Sequence, residues 1–212
     1  GGLTVATVAA LAAEMRRCGV TIFLPTLVTA SAEAIAEALA VIAQARADDA
    51  RLAHMMPFVH LEGPWIAPED GPRGAHPREY VRPPDLAQFD RWQAASGNLI
   101  GLVTLSPHHA DSGEVIAALV ARGVLVAIGH TGASAEQIHD AAAAGARLST
   151  HLGNGAAASL PRHPNFIWAQ LADDRLMATF ITDGHHLPAD TFRAMLRAKG
   201  FGSDVDKPIW TI

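Results

Sequence analysis

Seven short, nearly continuous apolar runs punctuate this chain, separated by stretches of helical periodicity, and almost every run ends on polar residues. Apolar residues recur at helical spacing over 3–17, and Gly19 stands where a left-handed residue would close that helix. A strand is expected at 20–24, an Ala-rich amphipathic helix at 31–46 and a second apolar run at 55–61. The period continues with a strand at 99–105, a helix at 112–121, a strand at 124–128 and a helix opened by the capping box Ser134-Ala135-Glu136-Gln137. Strands at 147–150, 176–182 and 208–212, with a helix at 189–199, complete the series. Runs that are apolar throughout suit parallel strands covered by helices, because such strands are shielded from water on both faces. The expected class is α/β.

Where the polar residues fall separates a closed barrel from an open sheet. The runs end on Pro25-Thr26, Glu62-Gly63-Pro64, Ser106-Pro107, Gly129-His130-Thr131, His151 and Asp183-Gly184-His185-His186. A (β/α)8 barrel gathers its chemistry in such a ring, at the C-terminal ends of many strands. An open doubly wound sheet would concentrate it at one switch point, and no Gly-rich phosphate loop marks one. The series starts on a helix and stops inside an apolar run, so the expectation over 1–212 is a partial catalytic barrel of the TIM type, lacking its first strand and cut within its last.

Charge bears on partners. With 16 Lys and Arg against 21 Asp and Glu, the formal net charge is -5, which leaves no surplus to displace counterions from a phosphate backbone, so nucleic acid is not an expected partner. No apolar run is long enough to span a bilayer. Cys18 is the single cysteine and forms no internal disulfide; a reducing, cytoplasmic location is expected.

Glu62, His130 and His151 all fall at expected strand ends and hence on one rim. One carboxylate and two imidazoles form a catalytic zinc set that keeps a position open for water, which suits hydrolysis of an unactivated amide. Taken singly, each has a plainer reading: Glu62 paired with an arginine, each histidine a satisfied core residue. His60 shares a face with Glu62 by strand alternation and reads as a hydrogen-bonding support for the ligands, ahead of the alternative of an additional ligand. His108 and His109 follow a Ser-Pro turn and read as loop residues.

His60-Leu61-Glu62-Gly63-Pro64, Gly129-His130-Thr131, Thr150-His151-Leu152, Asn154 and Asp183-Gly184-His185-His186 together resemble the N-acetylglucosamine-6-phosphate deacetylases of the amidohydrolase superfamily. Leu24-Pro25-Thr26-Leu27 and Arg73-Gly74-Ala75-His76-Pro77 are similar to that family too, so the resemblance runs the length of the chain. It implies that Glu62, His130 and His151 hold a divalent metal, zinc first, with iron, manganese, cobalt or nickel as alternatives. It further implies substrate contacts from His76 (to the carbonyl), Asn154, Gly155, His186 and Arg162, the last reaching the phosphate of an amino-sugar phosphate from a neighbouring subunit, and hence a homodimer.

The implied reaction is deacetylation to glucosamine-6-phosphate and acetate. The family's general base, an Asp at the end of the eighth strand, is expected just beyond Ile212, and Asp183 is a weak substitute. The family's small β-sandwich is not expected within 1–212. Around Arg162 the string Leu160-Pro161-Arg162-His163-Pro164-Asn165 replaces the usual Gly-Arg-Glu-Pro-Gly type. Two other readings therefore stay open: a related amidohydrolase acting on a different N-acyl sugar or amine, and a non-catalytic metal-binding barrel.

Overall fold

The computed structural model describes residues 2–200, 210 and 211 of the 212. Elements alternate along the chain: α1 (Val5–Arg17), β1 (Thr26–Val28), α2 (Ala32–Asp48), α3 (Ala50–Met55), β2 (Val59–Glu62), α4 (Leu86–Ser96), β3 (Ile100–Leu105), α5 (Ser112–Ala121), β4 (Leu125–Ile128), α6 (Ala135–Ala144), β5 (Leu148–Ser149), α7 (Phe166–Ala172), β6 (Met177–Phe180), α8 (Ala189–Ala198) and β7 (Trp210–Thr211). Caps fix several helix starts. Thr4 and Thr7 close a capping box on α1, and Ser134 and Gln137 close the expected one on α6.

The seven strands form one parallel sheet in the order in which they occur along the chain. That order decides the architecture. Right-handed crossovers between successive neighbours place every covering helix on the same face, whereas a doubly wound sheet reverses its order to cover both. The opposite face becomes the concave interior of a (β/α) barrel, the class the polar strand ends predict. Among the described residues β1 and β7 do not pair with each other.

Alternation then sorts the side chains. Val59, Leu61, Val103, Leu105, Val126 and Ile128 join the helix-side core with Ile35, Leu39, Phe89 and Ile116. His60, Glu62 and Thr104 point the other way, and the parallel register sets Glu62 beside Thr104. Ten wholly or almost wholly buried apolar strand and helix side chains on one face thus leave the other face free for polar groups.

Three differences from the sequence-based expectations have physical causes. The strand expected at 20–24 lies outside the ladder, which begins at Thr26. Phe23 donates its N–H to the carbonyl of Met55, and Met55 is the last residue of α3; no extended neighbour exists there for a ladder until Val59. For the same reason the run at 55–61 divides between a helix end and β2. Helices α4 and α7 were not expected, although Asp85 and Asn165 cap their first turns and Gly97 (φ 67°) closes α4. Of the strand expected at 208–212, Trp210 and Thr211 are β7; residues 208, 209 and 212 lie outside the described residues.

Candidate metal centre

Glu62 is the last residue of β2, while His130 and His151 each stand two positions past the end of β4 and β5. Both histidines take left-handed backbone angles, φ 48° at His130 and 31° at His151, a conformation costly for a residue with a Cβ. The sharp turn directs both rings back over the barrel mouth. His130 Nε2 lies 2.7 Å and His151 Nε2 3.1 Å from Glu62 Oε1, and the two Nε2 atoms are 3.0 Å apart. All three side chains are buried, and their ligand atoms lie within 4.8 Å of one another. His76, from the loop after β2, brings a third imidazole: its Nε2 is 3.2 Å from His130 Nε2 and 3.8 Å from Glu62 Oε1.

The donor chemistry fits a cation. His130 Nδ1 lies 2.9 Å from the main-chain oxygen of Pro72, which can only accept, so Nδ1 carries the proton. In neutral His130 the Nε2 lone pair therefore faces the lone pairs of a carboxylate oxygen at 2.7 Å. Two acceptors that close repel unless a positive charge lies between them. Burial opposes ionisation of Glu62, but the surrounding imidazoles of His130, His151 and His76 outweigh it and hold the carboxyl far below the usual range, in its anionic ligand form.

Close packing preserves this geometry. Gly155 (φ 57°) sits against the His130 ring, where an added Cβ would come within 2.9 Å of Nδ1; Gly74 (φ 60°) covers Cε1 from the other loop. Arg73, between Pro72 and Gly74, donates to the main-chain oxygen of His76 and pairs with Asp70, which also pairs with Arg78 at 2.8 Å. Below the cluster lies a polar layer: His60 reaches Thr104 Oγ1 at 2.7 Å and Thr26 Oγ1 at 3.2 Å, and Thr104 reaches Thr150 Oγ1 at 2.7 Å. The expectation that His60 supports the ligands is thereby corrected. Its ring nitrogens are both taken by threonines one layer beneath, because the next inward residue along a strand stands about 7 Å lower.

No family model matches the chain. It is 35% identical over 184 residues to the N-acetylglucosamine-6-phosphate deacetylase of Bacillus subtilis (strain 168), a match covering 86% of this chain and 46% of that protein. The N-acetylgalactosamine-6-phosphate deacetylase of Escherichia coli O157:H7 is 35% identical over 177 residues, covering 84% and 46%. The solved N-acetyl-D-glucosamine-6-phosphate deacetylase of Mycobacterium smegmatis superposes with a TM-score of 0.76 at 31% identity, over 85% of this chain and 46% of that one. This chain is a homologue of the N-acetylglucosamine-6-phosphate deacetylases. It spans about half the length of the curated relatives it matches.

In this deacetylase homologue the remaining residues singled out by sequence lie at differing distances from the cluster. His76 is part of it, and Gly155 touches His130. Asn154, in the same turn, donates its N–H to the carbonyl of His151 at 2.9 Å, and its Nδ2 is buried without a partner among the described residues. Arg162 is exposed in the loop before α7 and makes no ion pair among the described residues. His186 is half-exposed, its Nδ1 2.8 Å from Asp183. Asp183 also accepts the N–H groups of His185 and His186, which lower its pKa to about 2. His108 bonds Ser106 Oγ at 2.7 Å and stacks on His109. Thr29, Pro72 and Arg73 touch the cluster histidines directly; Arg73 opens a string similar to the family, while nothing in the local sequence of Thr29 or Pro72 distinguishes them from ordinary loop residues.

Proposed function

We propose that the protein containing this chain is a metal-dependent hydrolase that cleaves the N-acetyl group from an amino-sugar 6-phosphate, N-acetylglucosamine-6-phosphate first, releasing acetate and the free amine. What supports this reading above all is the convergence of Glu62, His130 and His151 on one point at the barrel mouth, in a fold shared with deacetylases. The galactosamine relatives are as similar as the glucosamine ones, so the 4-epimer is the natural second substrate.

In this reading Glu62, His130 and His151 hold a divalent ion, zinc by the preference of one carboxylate and two imidazoles. Such an ion, when bound, lowers the pKa of water toward neutrality and polarises a carbonyl. The chain's own groups orient and stabilise. His76 presents Nε2 to the acetyl carbonyl oxygen and donates to it as negative charge develops. Gly155 lets the backbone approach the substrate, and Asn154 offers its unpartnered amide. Glu62 is held anionic by three imidazoles and is unsuited to carry a proton, so the proton-transferring acid lies outside the cluster, an Asp by the family resemblance. Arg162, exposed in the loop before α7, serves the phosphate of a second copy's substrate with its planar fork, and His186 closes on the sugar.

The test is amine release by the whole zinc-loaded protein from N-acetylglucosamine-6-phosphate, its galactosamine epimer and unphosphorylated N-acetylglucosamine. A kcat/KM for either phosphate at least tenfold above the unphosphorylated sugar is expected. Equal rates on all three would assign the site to a different N-acyl substrate, and no release from any would remove the enzyme reading. Sedimentation of the same preparation as a monomer would remove the shared Arg162.

A further inference from the structure

We infer that Leu187 is a positioning residue: it holds the surface turn that carries His186 against the turn that carries Asn154 and Gly155, and so keeps the two in register. Residues 182–186 lie at the surface, and among the described residues every hydrogen bond they make stays within the turn. Asp183 Oδ1 accepts the N–H groups of His185 at 2.9 Å and His186 at 3.1 Å, and Asp183 Oδ2 lies 2.8 Å from His186 Nδ1. Those bonds stiffen the turn, but they do not tie it to the barrel. Leu187, the next residue, does. It is buried, and its side chain enters a small apolar core with Leu152, Leu171, Phe180 and Met195, apart from the main one.

The other turn comes to meet it. His151 donates its N–H to Thr179 Oγ1 at 2.8 Å and Leu152 donates to the Thr179 carbonyl at 2.9 Å, so the start of the 151–155 turn is pinned to β6. Gly153 then takes φ 96°, and a Cβ built there would stand 3.2 Å from Leu187 Cδ2 and 3.0 Å from Met195 Cε. The missing side chain is the seat of Leu187. Gly153 immediately precedes Asn154 and Leu187 immediately follows His186, so one apolar contact fixes the spacing of the two turns. The consequence for catalysis rests on the proposed deacetylation, in which Asn154, Gly155 and His186 meet the sugar. A loosened turn costs uniform binding rather than the chemical step, because His130 and His76 are held by Pro72 and Thr29 instead.

The experiment uses the zinc-loaded whole protein. Leu187→Ala should raise KM for N-acetylglucosamine-6-phosphate by about tenfold, the worth of one hydrogen bond to the sugar, with kcat and zinc content little changed. Leu187→Met, which keeps the volume, should restore KM. Leu171→Ala truncates the same core from α7 and should lower stability to a similar extent while leaving KM as it was. Amide exchange at His185 and His186 is expected to be slowed in the unaltered protein, to quicken in Leu187→Ala and to stay slow in Leu171→Ala. Free-amide rates at both positions in the unaltered protein overturn the inference even if no variant folds. So does an unchanged KM in Leu187→Ala, or an equal rise in Leu171→Ala. If the unaltered protein deacetylates nothing, the proposed function fails, while the exchange rates still decide whether Leu187 holds the turn.

Discussion

Pro72 and His130 stand 58 positions apart, yet the main-chain oxygen of Pro72 accepts a hydrogen bond from His130 Nδ1 at 2.9 Å. One carbonyl on a loop thus sets the tautomer of a histidine on a strand end, and with it the direction of the lone pair that reaches Glu62. Supports of this kind raise ligand basicity and fix ring orientation at metal sites.

Zinc should stabilise the unaltered protein by about 2.7 kcal/mol when free zinc is ~100 times its Kd, since it binds the folded state alone. His130→Ala and His151→Ala each remove one of three donors and should weaken zinc retention by ~100-fold or more, so the increment vanishes in both. Thermal unfolding with and without a chelator measures this. A full increment in both variants would move the metal elsewhere.

Gly155→Ala places a methyl 2.9 Å from His130 Nδ1 at a position with φ 57°. A destabilisation of about 1–3 kcal/mol is expected, together with weaker zinc binding as the ring is pushed off Pro72. Gly113→Ala is the control: it lies in α5 with nothing within 4 Å of its added Cβ, and should stabilise by about 0.5–1 kcal/mol. Denaturant midpoints of the two should shift in opposite directions.

Burial pushes the His60 imidazole down to about 4, against an unfolded value of about 6.5. Between those values the unfolded chain binds the proton and the folded one does not. Stability is therefore full above about pH 6.5 and falls as pH drops toward 4, by roughly 3 kcal/mol in all for this one group. His60→Gln should flatten that window in urea titrations at a series of pH values, leaving the loss below it, where Glu62 must be protonated. A slope between pH 4 and 6.5 that persists in the variant assigns it to another group.

Arg73→Ala should free the loop that carries Pro72 and His76, because the guanidinium donates to the His76 carbonyl and pairs with Asp70. Hydrogen exchange should quicken at residues 71–76 and stay unchanged in α2, which the loop does not cap. Uniform exchange across both would show that the clamp contributes nothing.

Much of the fold could be read from periodicity. Helix α5 begins and ends where its apolar spacing does, and α6 starts at its capping box. Residues 20–24 misled because an apolar, β-branched run reads as a strand whether or not an extended neighbour exists to pair with it, and here the neighbour is the end of α3. Within the site, Glu62, His130 and His151 were legible because strand ends share a rim. His60 was misplaced by one layer, since alternation gives a side chain's face but not its height.

Residue type and order along the chain determined that strands would be parallel and covered, and that a carboxylate and two imidazoles would reach one end of the sheet. Both follow from local rules, the period of burial and the alternation of faces. Only the folded chain decided how those groups are aimed. The contacts that do so, Pro72 with His130, Thr29 with His76 and Gly155 with the His130 ring, join residues from different loops through a carbonyl, a hydroxyl and a missing Cβ. Hydrogen bonds and close contacts act over about 3 Å, and which residues come that near is fixed only by the packing of the whole barrel.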